Sequence, residues 1–264
     1  MNQLFWIGYR KWEEGHCWGF ARRQLRPGTI TDSVISYSTR GLSVVKLGRA
    51  VPTAHRQKQN LTMKIVREET LLSCGRYASS AEWKLTRETL YKAIREVDWP
   101  RGSGKFTIHP QSGKKRGQGN GVTPIKDGLM EELAKQGWRL EVPLDLATVT
   151  KPGKLDAVLD TKYGPVALEW ETGNISSSHR ALNKMALGLL KGALACGILV
   201  VPSRALYKYL TDRIGNMAEL DPYLDLWRSI PCKEGVLEIV AIEHDATSES
   251  VPRIPKGTDG RAVD

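Results

Sequence analysis

Two short runs of β-type residues, KLDAVLD and VALEW, flank the turn TKYGP and read as a hairpin over Lys154–Trp170. Residues two apart on a strand share a face, so Glu169 and Glu171 point one way and Trp170 the other. With the turn near Tyr163 and Gly164, Asp156 on the partner strand falls opposite the two glutamates, and three carboxylates converge. Downstream, Leu182, Met185, Ala186, Leu189, Leu190, Ala193 and Leu194 form a wide apolar stripe, with Ser177 or Ser178 as its cap. Its width predicts a helix buried on more than one side.

The same reading extends to the rest of the chain. Trp83, Leu85, Leu90, Tyr91 and Ile94 predict a helix from Ser79 that stops before Trp99-Pro100. Residues 101–121 have the Gly- and Lys-rich composition of a mobile loop, carrying Lys105, Lys114, Lys115 and Arg116. Next to a DNA cleft such a loop contacts phosphates; otherwise it is simply solvated. Thr123 as cap, Pro124 at the first position and Gly137 at the end bound another helix. Lys126 lies in its first turn, where positive charge is disfavoured, and this points to an anionic partner such as DNA. WRLEV, CGILVV and VLEIVAI read as strands, the second buried and the third the last of the chain. Ser203 caps SRALYKYLTDR, MAELDPYLDLWRS is amphipathic, and the tail from Ala246 is an irregular arm. Helices interleaved with strands predict an α/β fold, a mixed sheet flanked by helices.

Composition adjusts this picture only in part. The 264 residues carry a net charge of +10, which favours a polyanionic partner. The excess is concentrated in residues 1–62, with ten Lys and Arg against three acids, whereas the remaining 202 residues are nearly balanced. Such near-balance does not exclude a polyanionic partner, because cations on one face can be offset by acids elsewhere. Residues 1–62 contain Trp6, Trp12 and Trp18 but no sustained periodicity. They read either as a basic, aromatic arm adding phosphate contacts or as a poorly ordered extension ahead of a natural start at Met63. The expected division is therefore 1–62 and 63–264. No apolar run of eighteen residues and no signal-peptide pattern occurs, so a cytoplasmic protein without membrane association is expected. Cys17, Cys74, Cys196 and Cys232 have no CxxC spacing and read as reduced thiols.

Clustered carboxylates cannot all stay ionised without a cation. Asp156, Glu169 and Glu171 are an all-oxygen set, which suits Mg²⁺ and a phosphate-bearing substrate. Their bland alternative is the solvated face of an edge hairpin. ETGNISSSHR before a leucine-rich helix, then KYLTDRI and VPRIPKGTDG, resemble the BamHI-like type II restriction endonucleases, collinearly over about residues 99–260. This resemblance implies a PD-(D/E)xK-type core in its ExE variant, with Glu171 where most of the superfamily has lysine. A glutamate there can accept a proton from water or bind a second metal ion.

The resemblance further implies Glu141 as a fourth acidic residue at the edge of a two-metal site. It implies base reading by Asn174, Ser176, Arg180, Asp212 and Arg213 in the palindrome GGATCC, and minor-groove approach of the tail at Gly257. A palindrome read by a two-fold protein implies a homodimer on double-stranded DNA, leaving 5′-phosphate and 3′-hydroxyl ends, with a cognate methyltransferase. The chain stops at Asp264, where the family's arm continues. Two rivals differ in class. A DNA-binding protein with a silent site needs an unsupported carboxylate, and a glycosidase using Asp156 and Glu171 needs no metal and no two-fold assembly.

Overall fold

The computed structural model describes residues 63–115, 117–144, 153–171, 173–211 and 214–256, and, before residue 63, the backbone of five short strands. The chain divides into two compact units, Met1–Lys58 and Gln59–Asp264. In the first, β1 (Phe5–Trp6), β2 (Arg10–Lys11), β3 (Cys17–Gln24), β4 (Ile30–Ser38) and β5 (Gly41–Leu42) form an antiparallel sheet built on the β3–β4 pair. Strands occur here although the sequence alternates poorly, since β-branched and aromatic residues favour extended backbone without a steady period.

The second unit is a six-stranded mixed sheet. Its strands are β6 (Lys64–Cys74), β8 (Arg139–Pro143), β9 (Lys154–Thr161), β10 (Gly164–Trp170), β11 (Cys196–Pro202) and β12 (Gly235–Glu243), in the order β6-β12-β11-β10-β9-β8. The β10–β11 and β11–β12 pairs are parallel, and β6–β12, β9–β10 and β8–β9 are antiparallel. The fully buried β11 is the apolar run CGILVV, as central parallel strands require. A two-stranded pair, β7 (Thr107–Ile108) with β13 (Ala246–Thr247), stands apart, so VLEIVAI is not the last strand.

Side chains alternate between the two faces. Val166, Leu168, Trp170, Ile198 and Val200 pack with α2 (Ala81–Glu96) and α3 (Thr123–Lys135). Ala167, Leu199 and Val201 pack with α4 (Ile175–Leu190), α6 (Met217–Leu220) and α7 (Leu224–Arg228). The short α1 (Gly75–Ala78) and α5 (Arg204–Tyr207) complete the helices among the described residues, beside one 3₁₀ turn. An α/β fold of this kind was expected.

Several local expectations are corrected. Val122, not Thr123, is the α3 cap, and backbone amides of Ile125 and Lys126 reach its carbonyl without a side-chain cap. Leu85 and Leu190 are exposed at the margins of their stripes, and Ala193 and Leu194 follow the end of α4. The described part of 101–121, which leaves out Arg116, is held rather than loose, because Phe106 and Ile108 are fully buried and anchor it to the core. The helix expected over SRALYKYLTDR stops at Tyr207, since the backbone at Lys208, Tyr209 and Thr211 bonds instead to Gly113 and Asn120.

A charged cluster ties α2 to the sheet. Glu238 on β12 is fully buried, and its Oε1 accepts from Arg87 Nη2 at 2.6 Å and Tyr91 Oη at 2.7 Å. Arg87 Nη2 also donates to Glu68 on β6 at 2.7 Å. Arg87 and Tyr91 lie four apart on α2 and so share one face. Removing the cation would strand a buried carboxylate. Arg87→Met is therefore expected to cost about 3–5 kcal/mol in urea unfolding, and adding Glu238→Gln to recover much of that loss.

Candidate active site

The β9–β10 register fixes the site. Leu168 pairs with Ala157, and the next step along both strands sets Glu169 against Asp156. The connection is only Lys162 and Tyr163, so the hairpin register has little freedom. Glu169 and Glu171 share the face of Ala167, the side covered by α4.

Each carboxylate has its own partners. Asp156 Oδ1 accepts from Lys126 Nζ at 2.5 Å and Oδ2 from the Trp170 backbone N–H at 2.7 Å. Glu169 is ion-paired to Lys184, whose Nζ also donates to the Lys154 carbonyl at 2.7 Å. Glu171 Oε2 accepts from Ser178 Oγ at 2.7 Å, and Oε1 from the Gly173 N–H at 2.5 Å. A Cβ on Gly173 would stand 2.8 Å from Ser177 Oγ and 3.1 Å from Glu171 Oε1, so a larger residue there would push on the side chains around the carboxylate. Burial pushes the carboxyls of Glu169 and Glu171 above the usual range. Lys184 opposes this at Glu169, and the Ser178 hydroxyl and Gly173 amide oppose it at Glu171.

Asp156, Glu169 and Glu171 line one cleft of ≈ 480 Å³ with Lys126, Lys154, Ser177, Arg180 and Lys184. Among the described residues, however, no three acidic, His or Cys side chains stand as a ligating group. The expected convergence on one point is thus corrected to a shared cleft. Two ammonium groups supply the countercharge, and Glu171 is turned toward the start of α4. The donor set still fits a hard divalent cation, being all carboxylate, with Asp156 facing Glu169 and Glu171 alongside.

The other anticipated residues are distributed around this cleft. Lys126 reaches it because α3 packs on β8 and β9. Glu141 lies between the Leu140–Ala157 and Val142–Leu155 pairs, level with Asp156, but its side chain is exposed and outside the cleft lining. Its φ of 52° is left-handed, a conformation that costs a non-glycine residue about 1–3 kcal/mol. Asn174 caps α4, its Oδ1 accepting from the Ser177 N–H at 3.3 Å. This corrects the expectation of Ser177 or Ser178 as cap, because Ser178 is buried against Glu171. Ser176 and Arg180 are exposed on the first turns of α4. Asp212, Arg213 and Gly257 lie outside the described residues, as do Arg116 and the N-terminal tryptophan side chains.

Lys184 and Ser178 were missed as site residues. Ser177, Arg180 and Lys184 recur at helical spacing and all line the cleft. That periodicity was legible, but it needed the placement of α4 over the carboxylates to acquire meaning.

The cleft combines carboxylate oxygens, a donor set suited to a divalent cation, with ammonium groups, and the class, shown by the family match, is a nuclease with a restriction-endonuclease-like core. The family model "Restriction endonuclease BamHI" matches residues 63–261, and the chain belongs to that family of type II restriction enzymes, site-specific deoxyribonucleases. It is 47% identical over 201 residues to the type II restriction enzyme OkrAI of Oceanobacter kriegii, covering 76% of this chain and 100% of the relative. To the type II restriction enzyme BamHI of Bacillus amyloliquefaciens it is 37% identical over 171 residues, 61% of this chain and 75% of the relative. Among solved structures, restriction endonuclease BglII complexed with a DNA 16-mer matches with a TM-score of 0.47 and 11% identity, over 73% of this chain and 88% of that one. Among the described residues no helix is long and apolar enough to cross a membrane. Cys74, Cys196 and Cys232 are free thiols.

Raised carboxyl pKa values have a defined consequence for stability. Between the ordinary value of 4.5 and the raised folded values of Glu169 and Glu171, the native state holds more protons than the unfolded state, so stability falls as pH rises. With EDTA present, Glu171→Gln should flatten part of this fall. Thermal midpoints of wild type and variant, compared from pH 4 to pH 8, should show a difference that shifts in the variant's favour as pH rises; a constant difference would contradict the assignment.

Proposed function

We propose that the chain hydrolyses phosphodiester bonds of double-stranded DNA at the palindrome GGATCC, using Mg²⁺ and leaving 5′-phosphate and 3′-hydroxyl ends. The observation carrying this reading is the facing pair Asp156 and Glu169 in one cleft with Glu171, directly before the helix bearing Asn174, Ser176 and Arg180. Kinship with the BamHI of Bacillus amyloliquefaciens supports the target sequence.

In the proposed mechanism Asp156, Glu169 and Glu171 would hold the metal, two ions per site, with Glu141 at the edge of the site. The bound metal would neutralise phosphoryl oxygens and ease departure of the 3′ oxygen. Glu171 takes a proton from the attacking water, a role favoured by a carboxyl pKa raised by burial. Ser178 and the Gly173 amide orient that carboxylate. Lys126 and Lys184, which pair with Asp156 and Glu169, supply the positive charge of the cleft that would meet phosphate oxygens. Asn174, Ser176 and Arg180, with Asp212 and Arg213, read base edges in the major groove. Gly257 lets the tail approach the minor groove.

Two-fold reading calls for a homodimer. Leu190 at the end of α4, and Tyr223 and Leu226 beside and on α7, are exposed large apolar residues. The two helices pack together, with Trp227 Nε1 donating to Asn183 Oδ1 at 2.9 Å. This apolar margin supports an interface there. Leu226→Arg is expected to shift the protein toward monomer in sedimentation. We also take residues 63–264 as the nuclease and 1–62 as dispensable for cutting. A cognate methyltransferase and a cytoplasmic setting belong to the same reading.

The direct test uses two plasmids differing by one GGATCC site. The full chain and residues 63–264 should each linearise only the site-bearing plasmid, with Mg²⁺ and not with EDTA. Glu171→Ala should lower the rate by about 10²–10³, the kinetic equivalent of several kcal/mol. Binding of the site without cutting would overturn the catalytic reading, and absence of both would overturn the base readers.

A further inference from the structure

A second cavity, of ≈ 340 Å³, lies apart from the carboxylate cleft. It is walled by Ser112, Gly113 and Lys114 on one side and by Arg204, Tyr207, Lys208, Tyr209 and Leu210 on the other. Resting on the nuclease reading, we infer that this cavity is a binding site for a backbone phosphate of the DNA, held by Lys114, Lys208 and Arg204.

Charge carries the first part of the argument. Three cations line the cavity and no carboxylate does. Lys114, Arg204 and Lys208 are exposed, and none is ion-paired to a described carboxylate. By contrast, Arg67, Arg87, Arg101, Arg139 and Arg228 all have acidic partners. Like charges held together at a surface lower their mutual repulsion when an anion sits among them. Arg204 lies over the Tyr207 ring, 4.9 Å from its centroid, which braces the guanidinium at the rim. Ser112 and the tyrosines add hydroxyl groups of the kind that meet phosphate oxygens.

The second part is rigidity. Gly113 N–H donates to the Lys208 carbonyl at 3.1 Å, and a Cβ at Gly113 would stand 1.4 Å from the Leu210 carbonyl oxygen. Only glycine permits that approach. Asn120 adds an N–H and a side-chain amide to the Tyr209 carbonyl, at 2.7 and 2.8 Å, and its own carbonyl accepts from Thr211 N–H at 2.9 Å. The two walls are thus one hydrogen-bonded body, and the cations are presented from fixed backbone.

Placement is the third part. Glu171 N–H donates to the Val200 carbonyl at 3.0 Å, so β10 and β11 run parallel to the same end of the sheet. The Arg204–Leu210 wall begins just past that end, and further along the chain Gly215 N–H donates to the Gly173 carbonyl at 2.8 Å. A single segment therefore links this cavity to the carboxylate cleft. A duplex lying over the carboxylates and extending past this end of the sheet would bring its backbone toward the cavity, so the site would take a phosphate outside the bases being read.

A phosphate contact supplies affinity without sequence information. The test measures DNA binding by the full chain against salt, in EDTA, on duplexes with and without GGATCC. Lys114→Gln/Lys208→Gln should make the slope of log K against log[salt] shallower by about 1 on both duplexes, leaving their affinity ratio unchanged. Lys233→Gln, just before β12 and at the opposite end of the sheet, should keep the wild-type slope. Thermal melting reports folding, and the single variant Lys208→Gln serves if the double variant melts early. An unchanged slope, or an equal change in Lys233→Gln, overturns the inference while leaving the nuclease reading intact. A wild type that binds neither duplex overturns both.

Discussion

Asp156 and Glu169 face each other across β9 and β10, and Glu171 follows on the same face. Burying carboxylates side by side raises the free energy of the charged state, so everything around them works as countercharge or hydrogen bond. Lys126 arrives from α3, Lys184 from the middle of α4, and Ser178 from the first turn of α4. Helices on both faces of the sheet are thus tied to one hairpin. The same arrangement explains why the site is a cleft lined by both charges, since moving either helix would leave a buried charge unpaired.

The opposite face of the sheet solves a comparable problem differently. Glu238 is buried with Arg87 and Tyr91 of α2, a fixed pairing that offers no opening to a substrate. Asp156 and Glu169 are likewise ion-paired, but they line an open cleft of ≈ 480 Å³. The pairs at one end of the sheet border an open cleft, whereas the Glu238 pairing is closed in by packing. Membership of the BamHI family accords with this division, the family match beginning at residue 63 and running through the whole sheet.

The start of α4 and the cleft are structurally connected. Asn174 closes the first turn of α4 while Ser178, one turn on, holds Glu171. The Gly215–Gly173 hydrogen bond joins the segment after Arg213 to the same turn. Both segments are thus joined to the carboxylates through few covalent and hydrogen-bonded steps.

Much of this was legible in the residues. The two-residue alternation of KLDAVLD and VALEWE set the hairpin, its register and the common face of the three acids, because strand geometry is local and a short turn leaves no other pairing. The apolar run CGILVV was recognisable as a central strand for a similar reason. Long-range facts were not legible. Lys184 is one more polar residue on α4 until the helix lies over Glu169, and Glu238 gives no sign of burial until α2 brings Arg87 to it. Ser178 reads as a cap until Glu171 claims its hydroxyl. The early end of α5 and the held loop at 101–121 depend on partners about a hundred residues away. The sequence by itself determined which residues could share a strand face or a helix stripe, since those periods follow from backbone geometry. Only the tertiary structure decided which charges meet, because the free energy of a buried charge depends on what is packed against it.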